Sequence, residues 1–275
     1  MRMLKRQNGA ALILFFVSLI MGAAIVILSA LNGGAPQMRD RINKQNELRA
    51  IKEALLSYAM TYPEYNLAPN GPGRLPCADS DNDGAADCTV SAVGLGRLPE
   101  SIGPVGNPVF LSDRYAGLGQ QYWYAVAPAF RQDSPSLNTD STTSLTLDGT
   151  VGVAAVIIAP GPGVDDQIRL NNNQATLYLE SSNATGPGFV TTHPTDPTQL
   201  NDMVMPIMVA EVMTYATLRV AQEFKNLLDS YYGDNGDVYP TDTALFTTAM
   251  NATAWISANG WASTALFAYS NPTAS

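Results

Sequence analysis

Arg2-Met3-Leu4-Lys5-Arg6-Gln7-Asn8-Gly9, followed by the uncharged residues 10–31, is the stretch that decides what kind of fold this chain builds. The run after Gly9 holds twenty-two residues without an Asp, Glu, Lys or Arg. At about 1.5 Å per residue a helix of that length spans roughly 33 Å, enough for the roughly 30 Å hydrocarbon core of a bilayer. A transmembrane helix is therefore expected over residues 10–31. Arg2, Lys5 and Arg6 precede it and favour an N-terminus in the cytoplasm, so residues 32–275 lie outside. An uncleaved anchor and a removed secretory signal are the plainer readings. The second is weakened by the length of the run and by Leu28-Ser29-Ala30, a poor cleavage sequence.

Composition agrees with an exported domain. The chain carries 15 basic and 24 acidic residues; without Arg2, Lys5 and Arg6 the balance is 12 against 24. That sign disfavours nucleic acid and anionic membrane surfaces as partners. A charged fraction of only 14%, with 22 Gly and 18 Pro, suits a loop-rich extracytoplasmic fold. The two cysteines, Cys77 and Cys88, are most simply read as one disulfide closing a small loop; two free thiols are the alternative.

Beyond the apolar run, Gly33, Gly34 and Pro36 are expected to kink or break the helix. From Gln37 a polar helix resumes, and Ile42, Leu48, Ile51, Leu55, Tyr58 and Tyr62 recur at helical spacing as one apolar stripe. Such a stripe must cover something, and an antiparallel sheet fits it. Pro63 and Ala68-Pro69-Asn70-Gly71-Pro72-Gly73 end the helix.

Leu145-Thr146-Leu147-Asp148-Gly149-Thr150 and the β-branched residues up to Ala159 read as strand, Asp-Gly turn and buried strand. Residues 122–126 supply a further strand. Residues 171–174 and 181–193 are polar and read as surface loops. From Met203 the pattern turns helical, with Met213, Ala216, Val220, Phe224, Leu227 and Tyr231 on one face up to Gly233. The class is α+β, helices packed on antiparallel sheet.

A repeat runs through the chain. Ile51-Lys52-Glu53-Ala54-Leu55-Leu56-Ser57-Tyr58 aligns without gaps on Phe224-Lys225-Asn226-Leu227-Leu228-Asp229-Ser230-Tyr231. Each copy is followed by a Gly-rich turn closing on proline, Gly73-Arg74-Leu75-Pro76 and Gly236-Asp237-Val238-Tyr239-Pro240, and then by an aromatic strand, residues 122–128 and, more faintly, residues 266–272. Chance likeness of two amphipathic helices is the alternative. If the repeat is genuine, residues 32–200 form a first module and residues 201–275 a smaller helix-plus-strand module.

Lys5-Arg6-Gln7-Asn8-Gly9 ahead of Ala10-Ala11-Leu12-Ile13-Leu14 resembles the cleavage site of type IV prepilins and type II secretion prepseudopilins. The resemblance extends through Arg74-Leu75-Pro76-Cys77-Ala78-Asp79, the acidic loop to Cys88, Gly96-Arg97-Leu98-Pro99 and Tyr122-Trp123-Tyr124-Ala125-Val126. It implies that a prepilin peptidase cuts between Gly9 and Ala10, leaving residues 1–9 as a leader. It also implies a methylated Ala10, packing of the apolar helix among those of other subunits, and a pilin-like fold held in the bacterial inner membrane with its main domain periplasmic. Most members of that family carry glutamate at the fifth mature position; here it is Leu14. The resemblance therefore implies a minor or initiating component at the filament tip. A membrane-anchored binding module that never enters a filament is the alternative function.

Chemistry concentrates in Asp79-Ser80-Asp81-Asn82-Asp83-Gly84-Ala85-Ala86-Asp87. Carboxylates at positions 1, 3, 5 and 9, with glycine at 6, match the first part of a calcium loop, and the Ala85 carbonyl stands where a backbone ligand belongs. Position 12 is Val90 in place of the bidentate glutamate. A structural calcium on Asp79, Asp81, Asp83, Ala85 and Asp87 is one reading, a solvated acidic turn the other. Enzymatic motifs are wanting: the sole histidine, His193, lies in a polar loop, and Asp165 and Asp166 are adjacent in a turn. Gly161 and Gly163 flank Pro162, which has no amide hydrogen for a phosphate. The chain is therefore not expected to be an enzyme.

Overall fold

In the computed structural model the chain divides into two compact units, residues 1–46 and residues 47–275. The structure describes residues 8–65, 70–88, 93–102, 109–110, 122–134, 137, 141–164, 167, 169, 174–191, 199–240, 247–248, 250–251 and 253–259. For residues 8–15, 22–38, 65 and 109–110 only the backbone is described.

A helix α1 (Asn8–Tyr65) contributes to both units. In the first, the helical backbone runs through Gly33, Gly34 and Pro36 without interruption, so the expected break is absent. A proline removes one ladder donor, and helix-compatible sequence on both sides carries the chain across. Among the described residues no helix is long and apolar enough to cross a membrane. Of the apolar run only residues 16–21 have described side chains, and Phe16, Val17, Leu19, Ile20 and Met21 are each 48–64% exposed.

The second unit is built around β6 (Thr150–Ala159), which is buried from Val153 to its end. A run of Val, Ala and Ile with no polar alternation suits a central strand covered on both faces. Strand β4 (Trp123–Val126), also buried throughout, pairs antiparallel with it from Trp123 opposite Ile158 to Val126 opposite Ala155. The expected hairpin is present. Strand β5 (Leu145–Leu147) turns through Asp148 (φ 49°) and Gly149 (φ 78°) into β6. Two left-handed residues make the tight turn whose twist matches antiparallel strands, which is why Asp-Gly stands there. Strand β1 (Leu95–Arg97) borders β4, and β7 (Gly188–Phe189) lies parallel to β5. The order is β1-β4-β6-β5-β7, while β2 (Ser101–Ile102) and β3 (Val109–Phe110) pair separately.

The remaining strand corrects the reading of residues 203–208. They form β8 (Met203–Met208), antiparallel to β6 from Ala159 opposite Met203 to Val153 opposite Met208, and helix α2 (Val209–Asp234) begins only after it. Residues at the head of the expected second module thus belong to the same sheet as β4 to β6. Pro206 sits in β8 because its carbonyl accepts from Lys52 Nζ (2.9 Å). The N–H and C=O of one strand residue point to the same side, so the donor that proline lacks falls on the outer edge. Lys52 also pairs with Glu211 (2.7 Å), whose Oε2 accepts the Met208 N–H at the start of α2.

The stripe of α1 is buried from Leu48 through Ile51, Leu55, Tyr58 and Tyr62 and joins the sheet in one core, together with Val212 of α2. Ile42 departs from expectation: it is 51% exposed and belongs to the first unit. Farther along α2, Val220 packs with Met250 and with Trp255 and Ile256 of α3 (Ala254–Ala258), making a second cluster. The polar stretch 181–193 is not simply a surface loop. It contains β7 with buried Phe189, and a fully buried Asn183. The aromatic stretch 266–272, expected as a strand, lies outside the described residues.

Candidate functional site

The acidic loop hangs from β1. The Asp79 N–H donates to the Arg97 carbonyl (2.9 Å) and the Arg97 N–H returns to the Asp79 carbonyl (2.7 Å). Gly96 makes this approach possible: a Cβ there would lie 2.4 Å from the Asp79 carbonyl oxygen. The disulfide Cys77–Cys88 closes the loop, with sulfurs 2.06 Å and Cα atoms 5.2 Å apart.

Inside the loop the carboxylates fold back on the chain. Asp79, 2% exposed, accepts the Asn82 N–H on Oδ1 (2.6 Å) and the Gly84 N–H on Oδ2 (2.9 Å). Position 6 thus hands its amide to position 1, and Gly84 reaches the required left-handed backbone at φ 89°. Asp81 Oδ1 accepts from Asp83 N–H (3.1 Å), and Asp83 Oδ1 from Ala85 N–H (2.8 Å). Asp87 Oδ2 takes both the N–H (2.9 Å) and the hydroxyl (2.8 Å) of Ser80.

These contacts divide the acids electrostatically. Burial pushes the Asp79 carboxyl up, only partly offset by the Gly84 and Asn82 amides, and Asp83 and Asp81 push it further. The Ser80 amide and hydroxyl hold the Asp87 carboxyl below its ordinary value. Asp79, Asp81 and Asp87 bring one carboxylate oxygen each within 4.8 Å of one another. Asp83 is not part of that group. One carboxylate oxygen from each of Asp79, Asp81 and Asp87, brought this close, is a donor set of the kind that a hard divalent cation takes. Position 12, Val90, lies outside the described residues, as do His193, Asp165 and Asp166. Cys77, Cys88 and Asp133 also converge, but oxidised sulfurs offer no thiolate to a metal. Gly9 and Ala10 stand in the first turns of α1, their side chains undescribed.

Behind the loop lies an arrangement the sequence reading missed. Arg97, 2% exposed, sits in the corner formed by two aromatic rings, 4.0 Å from the centroid of Trp123 and 4.2 Å from that of Tyr178, whose own centroids are 5.7 Å apart with planes inclined at 49°. A planar, weakly hydrated guanidinium beside two rings suits arginine over lysine. Arg74 is likewise buried and donates to the Ser134 carbonyl. The signal was present in the duplicated Gly-Arg-Leu-Pro at 73–76 and 96–99, where both arginines and both leucines are buried. A third buried group, Glu180, Asn183 and Asp202, ties residues 180–190 to the start of β8.

Comparison with protein-family models, with curated proteins and with solved structures finds no match to this chain.

Proposed function

We propose that this chain is a minor, initiating subunit of a type IV pilus or type II secretion filament. It is held in the bacterial inner membrane by residues 10–31, with its sheet domain in the periplasm, until drawn into the filament. The observation that carries this reading is the basic leader and Gly9 placed directly before an uncharged run. Residues 16–21 support it: they cover more than a full helical turn, and all are exposed. A helix apolar on every side is stable in lipid or among other such helices. Leu14 leaves the mature fifth position without a carboxylate, which suits a subunit that starts an assembly over one that propagates it. The partners are the prepilin peptidase and the N-terminal helices of other subunits.

N-terminal sequencing of the membrane-extracted protein is expected to begin at Ala10, methylated. Gly9→Leu should leave all of the protein as uncut precursor. A wild-type protein that begins at Met1 in a strain with active peptidase would overturn the reading and favour a membrane-anchored binding module.

In the same proposal the acidic loop is a structural calcium site on Asp79, Asp81 and Asp87. Binding to the folded loop alone contributes RT ln(1 + [L]/Kd), about 2.7 kcal/mol at a hundred times Kd. Without a position-12 carboxylate the relevant calcium level is about millimolar. The Tm of the full-length protein in detergent should rise with calcium and fall with chelator, and Asp79→Asn with Asp81→Asn should erase the difference. No shift in the wild type would mark the loop as a self-bonded turn.

A further inference from the structure

We infer that Glu180 and Asp202 hold one proton between them and form a pH-sensitive clasp fastening residues 174–191 to the start of β8. The inference is independent of the filament reading. Both residues are almost fully buried, 7% and 6% exposed. Each holds backbone at or next to the other. The Glu180 N–H donates to Asp202 Oδ2 (3.1 Å), and the Asn201 N–H donates to Glu180 Oε2 (3.3 Å). Asn183, fully buried, extends the clasp: its Nδ2 donates to Asp202 Oδ2 (3.1 Å) and to the Val190 carbonyl (3.1 Å), while its Oδ1 accepts the Val190 N–H (2.8 Å).

The charges do not balance with both acids ionised. Among the described residues the one cation facing the pair is Arg169, its Nη2 3.6 Å from Glu180 Oε1. That guanidinium is already committed to Gln167 Oε1 (2.9 Å), the Tyr178 carbonyl (3.0 Å) and the Gly161 carbonyl, and it lies over the Tyr178 ring. The other polar neighbour, Asn183, is neutral. Asp202 Oδ1 is buried with no hydrogen-bond partner among the described residues. An unpartnered buried carboxylate oxygen is costly, and a proton on it turns the orphan acceptor into a donor.

Two carboxylates in one dry site cannot both ionise cheaply. Burial, then the charge of Glu180, lifts the Asp202 carboxyl to about 7, against the opposing pull of the Asn183 amide and the Glu180 N–H. The native protein therefore binds more protons than the unfolded chain between the ordinary carboxyl range and about pH 7. The stabilising contribution is complete below the unfolded value and is lost as pH rises through about 7. Above that, repulsion loosens residues 174–191, which carry Tyr178 on the face of Arg97 and β7 beside β5.

The test is urea unfolding of the full-length protein in detergent, wild type against Asp202→Asn, from about pH 5.5 to 8.5. Asparagine keeps the shape, has an acceptor for the two N–H donors and fixes the donor that the proton supplies. From about pH 6 to 8 the wild-type unfolding constant should rise about tenfold relative to that of the variant. Parallel pH profiles would overturn the inference. A second readout does not require the variant to fold: in wild type labelled at aspartate carboxyl carbons, one resonance should titrate near pH 7, and Glu180→Gln should lower its midpoint by at least one unit. The absence of any aspartate titrating above about pH 6 would equally overturn it.

Discussion

Truncation of Trp123 to alanine is expected to lower the unfolding free energy by about 3–5 kcal/mol, toward the lower end of that range. The ring is 1% exposed, in a strand whose Trp123 stands between Arg97 of β1 and Ile158 of β6. Removing it leaves a cavity at the junction of three strands and strips one aromatic face from the Arg97 guanidinium, 4.0 Å away. A buried cation that loses a partner is more costly than a methylene that does. One term works the other way. Trp123 Nε1 is buried without a hydrogen-bond partner among the described residues, so its loss relieves a desolvated donor. Trp123→Phe keeps a flat face for the guanidinium, drops that donor and should cost much less than alanine. Urea midpoints of the three proteins at constant m-value measure the order. Equal losses for alanine and phenylalanine would show that the stack over Arg97 contributes little.

Removal of the Cys77–Cys88 bond by paired serine substitution is expected to cost about 3 kcal/mol, the loop-closure estimate for residues eleven apart. The effect reaches beyond the loop because the Asp79 amide and carbonyl are bonded to Arg97, whose side chain fills the stack. The double variant should therefore unfold at lower urea and also show faster exchange of the Asp79 and Arg97 amides. Unchanged exchange there, with lowered overall stability, would confine the role of the disulfide to the unfolded chain.

What could be read in advance follows from how local the determinants are. The hairpin was legible because its turn needs left-handed residues at Asp148 and Gly149, and Asp-Gly supplies them regardless of the rest of the molecule. The buried stripe of α1 was legible from Leu48 to Tyr62 because helical spacing is local too. Strand β8 was not. Met203-Val204-Met205-Pro206-Ile207-Met208 lacks alternation and runs straight into α2, so its strand character comes from β6, far away in sequence. Asn183 was hidden for a related reason: composition cannot distinguish a polar residue in water from one whose bonds are met inside the protein. The acidic loop showed its turn chemistry in the spacing of Asp and Gly, yet its attachment to β1 depends on Gly96, which no local pattern marks.

The pairing of β6 with β8 also sets an order of events as the chain emerges. Val153-Ala154-Ala155-Val156-Ile157-Ile158 is uncharged, free of proline and rich in β-branched residues, the makeup of a segment that stacks with copies of itself. It emerges before Met203-Val204-Met205-Pro206-Ile207-Met208, the strand that covers one of its edges. Throughout that interval this edge of β6 is open, and proline-bearing β8 both closes it and presents an outer rim that lacks the Pro206 donor.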